Sequence, residues 1–183
     1  MHHQLRAIAT ELDQASHRLR ELDTRLPDDL WPVRADPTRW SVSECVAHLN
    51  MTSRAFLPPL HTAITAARTL GQAAPRNYHR DPLGWILWRT MGPPVRMKVK
   101  TPTAFVPLDT ATPADLRAEF DELQLELQRC VSEGDGLPIQ AVKLTSPFSE
   151  RARYNLFAAL SILPRHQHRH LWQAEQVAVA HSR

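Results

Sequence analysis

Apolar residues in this chain gather into four stretches with helical spacing. In the first, Leu5, Ile8, Leu12, Ala15, Leu19, Leu22 and Leu26 follow one another by alternating steps of three and four, which places them on one stripe of an amphipathic helix. Pro27, Asp28 and Asp29 close it, and a Pro-containing connection runs on to Trp40. The second stretch marks its own start. Ser41 followed three residues later by Glu44 has the pattern of a capping box, in which the hydroxyl accepts from the third residue's amide while the carboxylate reaches back to the cap amide. Behind it Val42, Cys45, Leu49, Phe56, Leu60 and Ile64 line one side, and Gly71 offers a stop. Pro58 and Pro59 interrupt this pattern, and because each lacks a backbone donor and crowds the preceding turn, a kink or break is expected there.

Residues 72 to 112 are proline-rich and irregular, with one short helix signalled by Asp81-Pro82 ahead of Leu83, Trp85, Ile86, Leu87 and Trp88. So apolar a segment is expected to pack, and the whole connection reads as a lid or flap over one end of the molecule. Thr112, Pro113 and Asp115 open a third long helix, with Leu116, Phe120, Leu123, Leu127 and Val131 as its seam and Gly134 and Gly136 at its end. Residues 137 to 148 read as loop or a short strand. Leu156, Leu160, Leu163, His170, Ala174 and Val177 mark the last helix. The long elements are therefore predicted at residues 5 to 26, 41 to 70, 113 to 132 and 153 to 180, and the fold class as all-α, a four-helix bundle with a long Pro-rich crossover between the second and third long helices.

Length adds that 183 residues suit a single domain, here residues 1 to 183. With 43% hydrophobic and 22% charged residues the chain has ordinary globular composition. No run approaches the ~18 to 20 apolar residues of a membrane span, and the start MHHQLRAIATELD lacks the apolar block of a secretion signal, so a cytoplasmic location and no membrane partner are expected. Cys45 and Cys130 lie within predicted helices and form no ligand-spaced pair, so they read as buried thiols. The formal net charge is only +3, and the arginines are scattered along the chain, which argues against a nucleic-acid partner.

Ten histidines bring in chemistry. His166 and His170, four apart, share one helix face and can reach one cation, while His168 points roughly the opposite way. The apolar seam runs through position 170, so the last helix aims an imidazole at the core, where an unpartnered ring costs a few kcal/mol. His48 lies at the flank of the second helix's apolar face. If the second and last helices are neighbours, three neutral imidazoles meet and leave an open coordination position. The other histidines, His2, His3, His17, His61, His79, His168 and His181, read as surface residues, and the five tryptophans as core or cleft wall.

The stretch Arg39-Trp40-Ser41-Val42-Ser43-Glu44-Cys45-Val46-Ala47-His48-Leu49 resembles the WSxxExxxHL signature of the DinB superfamily, and residues 166 to 175, HQHRHLWQAE, resemble its closing HxxxHLxQ signature. The resemblance implies a four-helix bundle, often dimeric, that holds a divalent ion, often zinc or nickel, on three histidines mapping to His48, His166 and His170. It further implies activities such as thiol-dependent S-transfer, maleylpyruvate isomerisation or metal-dependent hydrolysis of a small-molecule substrate. Two positions depart from the pattern. Gln167 stands where members commonly carry an acid, and Pro164, two residues before His166, is expected to disturb the helix where a ligand is presented.

The expected function is thus a metal-dependent enzyme that transfers a low-molecular-weight thiol to an electrophile or hydrolyses a small substrate. Neutral imidazoles leave the full charge on the ion, which turns a bound thiol or water into a nucleophile near neutral pH. Glu44, one turn before His48, and Gln173, three after His170, are the candidate catalytic residues, orienting ligands or nucleophile, with Glu44 also explicable as the cap alone. Arg89, Arg96, Arg151 and Arg153 are candidates for receiving a carboxylated substrate. The rival expectation is a non-catalytic, stress-associated bundle that binds a metal or hydrophobic ligand.

Overall fold

The computed structural model describes residues 1–93, 101–108 and 111–181. Its elements are helix α1 (His3–Arg25), α2 (Val42–Thr69), α3 (Pro82–Met91), α4 (Pro113–Glu133), strands β1 (Lys143–Ser146) and β2 (Ser149–Asn155), and helix α5 (Leu156–His181). The protein is mostly helical, with a small two-stranded sheet. Among the described residues no helix is long and apolar enough to cross a membrane.

The helix starts follow local chemistry. Ser41 and Glu44 close the capping box of α2 in both directions. Asp81 accepts from Gly84 N–H at the start of α3, with Pro82 at its first position, and Thr112 does the same for Asp115 N–H at α4. The stripe predicted on the first helix is buried from Leu5 to Leu22, so propensity and burial agree there.

Three expectations are corrected. The all-α reading missed the hairpin, in which Leu144 pairs with Tyr154 and Thr145 with Arg153. Only Leu144 and Tyr154 supply large apolar groups to its buried side, too few to show an alternating period in strands of four and seven residues. In consequence the last helix begins at Leu156 rather than near 153, where Asn155 Oδ1 accepts from Ala158 N–H at 2.9 Å. The prolines also break nothing: α2 continues through Pro58 and Pro59, and α5 through Pro164. Around Pro58 the helix faces solvent, so water can serve the carbonyl freed on that side. Pro164 is buried in a helix packed on nearly every side, and that burial outweighs a lost hydrogen bond.

Helix α2 packs against α4 and α5, and α1 against the same two, while α3 lies on α5 and β2. Two apolar clusters fill this arrangement. One gathers Leu5, Ile8, Leu12, Phe56, Leu60, Leu127, Phe157 and Leu160, and the other Leu19, Leu22, Trp31, Val42, Leu49, Phe120, Leu171 and Ala174. On α2 the change from one to the other falls between Leu49 and Phe56, and on α5 between Leu163 and Leu171. Apart from Pro164, the buried residues at that level are polar: His48, Asn50, Thr52 and Ser53 on α2, and His166, Gln167, Arg169 and His170 on α5.

Candidate metal centre

A buried polar layer between two apolar clusters needs internal partners, because each unsatisfied group costs ~1–3 kcal/mol. Several atoms of this layer have none. Among the described residues, His166 Nδ1, His170 Nδ1, Thr52 Oγ1, Asn50 Oδ1 and Gln167 Oε1 are buried without a hydrogen-bond partner. The three rings nevertheless crowd together. The centroid of His48 lies 5.1 Å from that of His166 and 4.5 Å from that of His170, and the latter two are 4.6 Å apart.

The nitrogens converge as well. One candidate ligand atom from each of His48, His166 and His170 can be chosen so that all lie within 4.8 Å of one another. His48 Nε2 stands 3.3 Å from His166 Nε2. Two imidazoles bound at 2.0–2.1 Å to one tetrahedral ion would place their nitrogens about 3.3 Å apart, so this pair already has the spacing that a shared cation requires. The donor set fits a borderline divalent metal, which takes neutral imidazole readily.

Protonation favours the same reading. His48 Nδ1 donates to the Phe105 carbonyl at 2.8 Å; a carbonyl only accepts, so the proton sits on Nδ1 and the Nε2 lone pair of the neutral ring faces inward. Burial lowers the pKa of His48, with the Phe105 bond opposing. His166 and His170 are pushed well below the ordinary histidine range, first by burial and then by neighbouring charge, including Arg169. At neutral pH all three rings are therefore lone-pair donors. Trp40 covers them, its ring 5.0 Å from His48 and 5.7 Å from His170, and Phe148 stands 6.0 Å from His166 on another side.

The predicted residues divide into two sets. His48, His166 and His170 come together as the spacing suggested, and His170 is hydrogen-bonded to the Gln173 side chain. Glu44 is engaged elsewhere: one oxygen accepts from Ser41 N–H at 2.7 Å, and the carboxylate is forked by Arg34. Gln167, the departure from the closing signature, turns toward α4 and α1. Its amide donates to Gln124 Oε1 at 2.8 Å, and Gln124 in turn donates to the Leu12 carbonyl. His168 does face away from the histidine group, but it is half-buried rather than a free surface residue, and its Nδ1 accepts from Arg18 at 2.9 Å. Arg89, Arg151 and Arg153 are exposed, and Arg96 lies outside the described residues. Cys45 and Cys130 are buried free thiols, each pushed up to about 12, chiefly by burial.

The piece that sequence reasoning missed is the Phe105 carbonyl. It arrives on a 3-10 turn, Thr103–Phe105, from the irregular crossover, and Phe105 packs edge-on against Phe148 at 4.4 Å. A main-chain acceptor leaves no mark in side-chain identity. The nearest signal was the apolar character of the crossover, which placed a flap over the molecule without saying what it touched.

The sequence model of the DinB superfamily matches residues 11–174. No curated protein and no solved structure matches the chain.

Proposed function

The chain belongs to the DinB superfamily, and from that premise we propose that its four long helices act as a four-helix bundle holding one divalent cation, zinc or nickel, on His48, His166 and His170, for use as a metal-dependent enzyme. The favoured reaction is transfer of a low-molecular-weight thiol to an electrophile, or hydrolysis of a small substrate. The observation that carries the reading is the approach of inward-facing ring nitrogens, 3.3 Å apart, in a layer where burial keeps the rings neutral. When bound, such an ion supplies Lewis acidity and lowers the pKa of a thiol or water.

The chain's own groups prepare that chemistry. Phe105 holds the tautomer of His48, and Gln173 steadies His170. Trp40, Phe105 and Phe148 keep water from the rings, which strengthens every electrostatic interaction among them. Glu44 serves as a positioning residue: tied to Ser41 and Arg34, it anchors the first turn of α2 and through it His48 one turn later.

One observation favours a non-catalytic metal-binding bundle instead. The carboxylate nearest His48 along α2 is committed to the cap and to Arg34, so no free general base accompanies the histidines there. Elemental analysis of protein purified without a polyhistidine tag tests metal binding, with one equivalent expected. Assays of the loaded protein with a panel of thiols and electrophiles test the reaction. Metal without turnover across the panel would favour the binding module, and absence of metal after reconstitution would end both readings.

A further inference from the structure

On the far side of α5 from the three histidines, a groove of about 650 Å³ runs between α1 and α5, walled by Glu11, Gln14 and Arg18 from α1 and by Arg165 and His168 from α5. Two of these walls are internally satisfied. Arg18 makes a two-pronged pair with Glu175 and also donates to His168. Arg165 differs. Its guanidinium lies 4.4 Å over the Trp88 ring, its Nε is buried with no hydrogen-bond partner, and among the described residues no carboxylate stands within ion-pair distance of it. Gly92 lies directly beside it: a Cβ there would fall 2.5 Å from its Nη2, so a side chain at this position would push the guanidinium aside.

A second cation sits beside it. Arg80 lies 4.0 Å over the same Trp88 ring and donates to Ser161 Oγ at 2.8 Å, again with no carboxylate in ion-pair contact among the described residues. Burial and Arg165 both lower the pKa of Arg80, while Glu11 is felt by both arginines only at longer range. Two half-buried guanidinium groups thus share one indole and one distant carboxylate.

We propose that this groove is a binding site for a small molecule carrying a carboxylate, separate from the histidine group, with Arg165 as its anchor and Arg80 as supporting charge. Arg165 lines the groove with no carboxylate partner among the described residues, and the planar N–H fork of a guanidinium grips a carboxylate with two parallel hydrogen bonds. Glu11 lines the same groove and repels an anion in proportion to its charge, so preference for a carboxylate over phosphate rests on the flat fork of Arg165, which matches two coplanar oxygens.

The test is a titration of the full chain with sodium propionate and, separately, inorganic phosphate, at constant ionic strength set with chloride, following the Arg165 Nε–H resonance by NMR. Saturable propionate binding, tighter than phosphate, is expected. Arg165→Met should weaken it at least tenfold, and Glu11→Gln, which removes the competing charge, should tighten it several-fold. Metal content and the response of Tm to chelator should be unchanged in both variants, so the outcome is independent of the histidine site. Shifts that grow linearly and match those with chloride, tighter binding of phosphate, or wild-type affinity in Arg165→Met would each overturn the proposal. If Arg165→Met does not fold, Glu11→Gln decides alone, and affinity no tighter than wild type overturns it.

Discussion

His166 and His170 look toward α2 from one side of α5, while Arg165 and His168 look toward α1 and α3 from the other. The residues interleave within six positions of one helix, yet the two sides solve the problem of a buried polar group differently. On the histidine side burial strips protons from three rings, leaving lone pairs that a cation can satisfy. On the groove side the arginines cannot give up their charge, so it is spread over an indole face and left for an anion. The comparison teaches that the side chain's capacity to neutralise itself, more than its depth, decides whether a polar pocket invites a cation or an anion.

The largest effect that could break the comparison concerns metal. His170→Ala should abolish tight metal binding, a loss beyond the ~10–100-fold that follows removal of an outer hydrogen bond, whereas His168→Ala should retain one equivalent. Elemental analysis after dialysis reads both. Equal retention would place the ion elsewhere or nowhere, and since both variants lose the same ring, generic loss of histidine could not explain a difference.

Stability gives the next reading. A ligand at a hundred times its Kd stabilises the folded state by about 2.7 kcal/mol, so chelator should lower the Tm of the wild type and of His168→Ala, and leave His170→Ala where it was. Calorimetry with and without chelator measures this.

Acid should sharpen the contrast in metal-free protein. His48, His166 and His170 have folded pKa values depressed below the ordinary ~6.5 of the unfolded chain. Below ~6.5 the unfolded state therefore binds more protons, so the stability these rings contribute is present above that pH and lost as pH falls, by up to ~1.4 kcal/mol per pH unit for each ring. Denaturant unfolding between pH 7.5 and 5.5 should show the decline, and His170→Ala should flatten it. A pH-independent midpoint would contradict neutral burial.

The smallest effect belongs to the other face. His168→Ala removes the acceptor for Arg18 but leaves that guanidinium its Glu175 partner, so a loss of about 1 kcal/mol is expected. Urea midpoints at pH 7.5 would detect it, and pairing His168→Ala with Glu175→Ala would show whether the two acceptors act together.

Much of this protein is determined by the sequence read alone. Local chemistry decides the four long helices, because seams such as Leu5 to Leu22 repeat over many turns and the caps at Ser41 and Thr112 are made by neighbours within three residues. The pair His166 and His170 is legible for the same reason, being one turn apart with position 170 on a seam, whereas His48 joins them only through the family signature and the packing of α2 on α5. Tertiary structure alone decides what depends on partners distant in the chain. It keeps α2 and α5 whole through Pro58, Pro59 and Pro164, turns residues 143 to 155 into a hairpin around one apolar pair, and sends Gln167 to Gln124 instead of toward the histidines. It brings the Phe105 carbonyl to His48 across 57 positions, and Gly92 and Trp88 to Arg165 across more than 70. The physical reason is one of range. A helix period and a cap are written in adjacent side chains, whereas a main-chain carbonyl, a glycine's empty space and the direction of a buried amide take their meaning from whatever the fold packs against them.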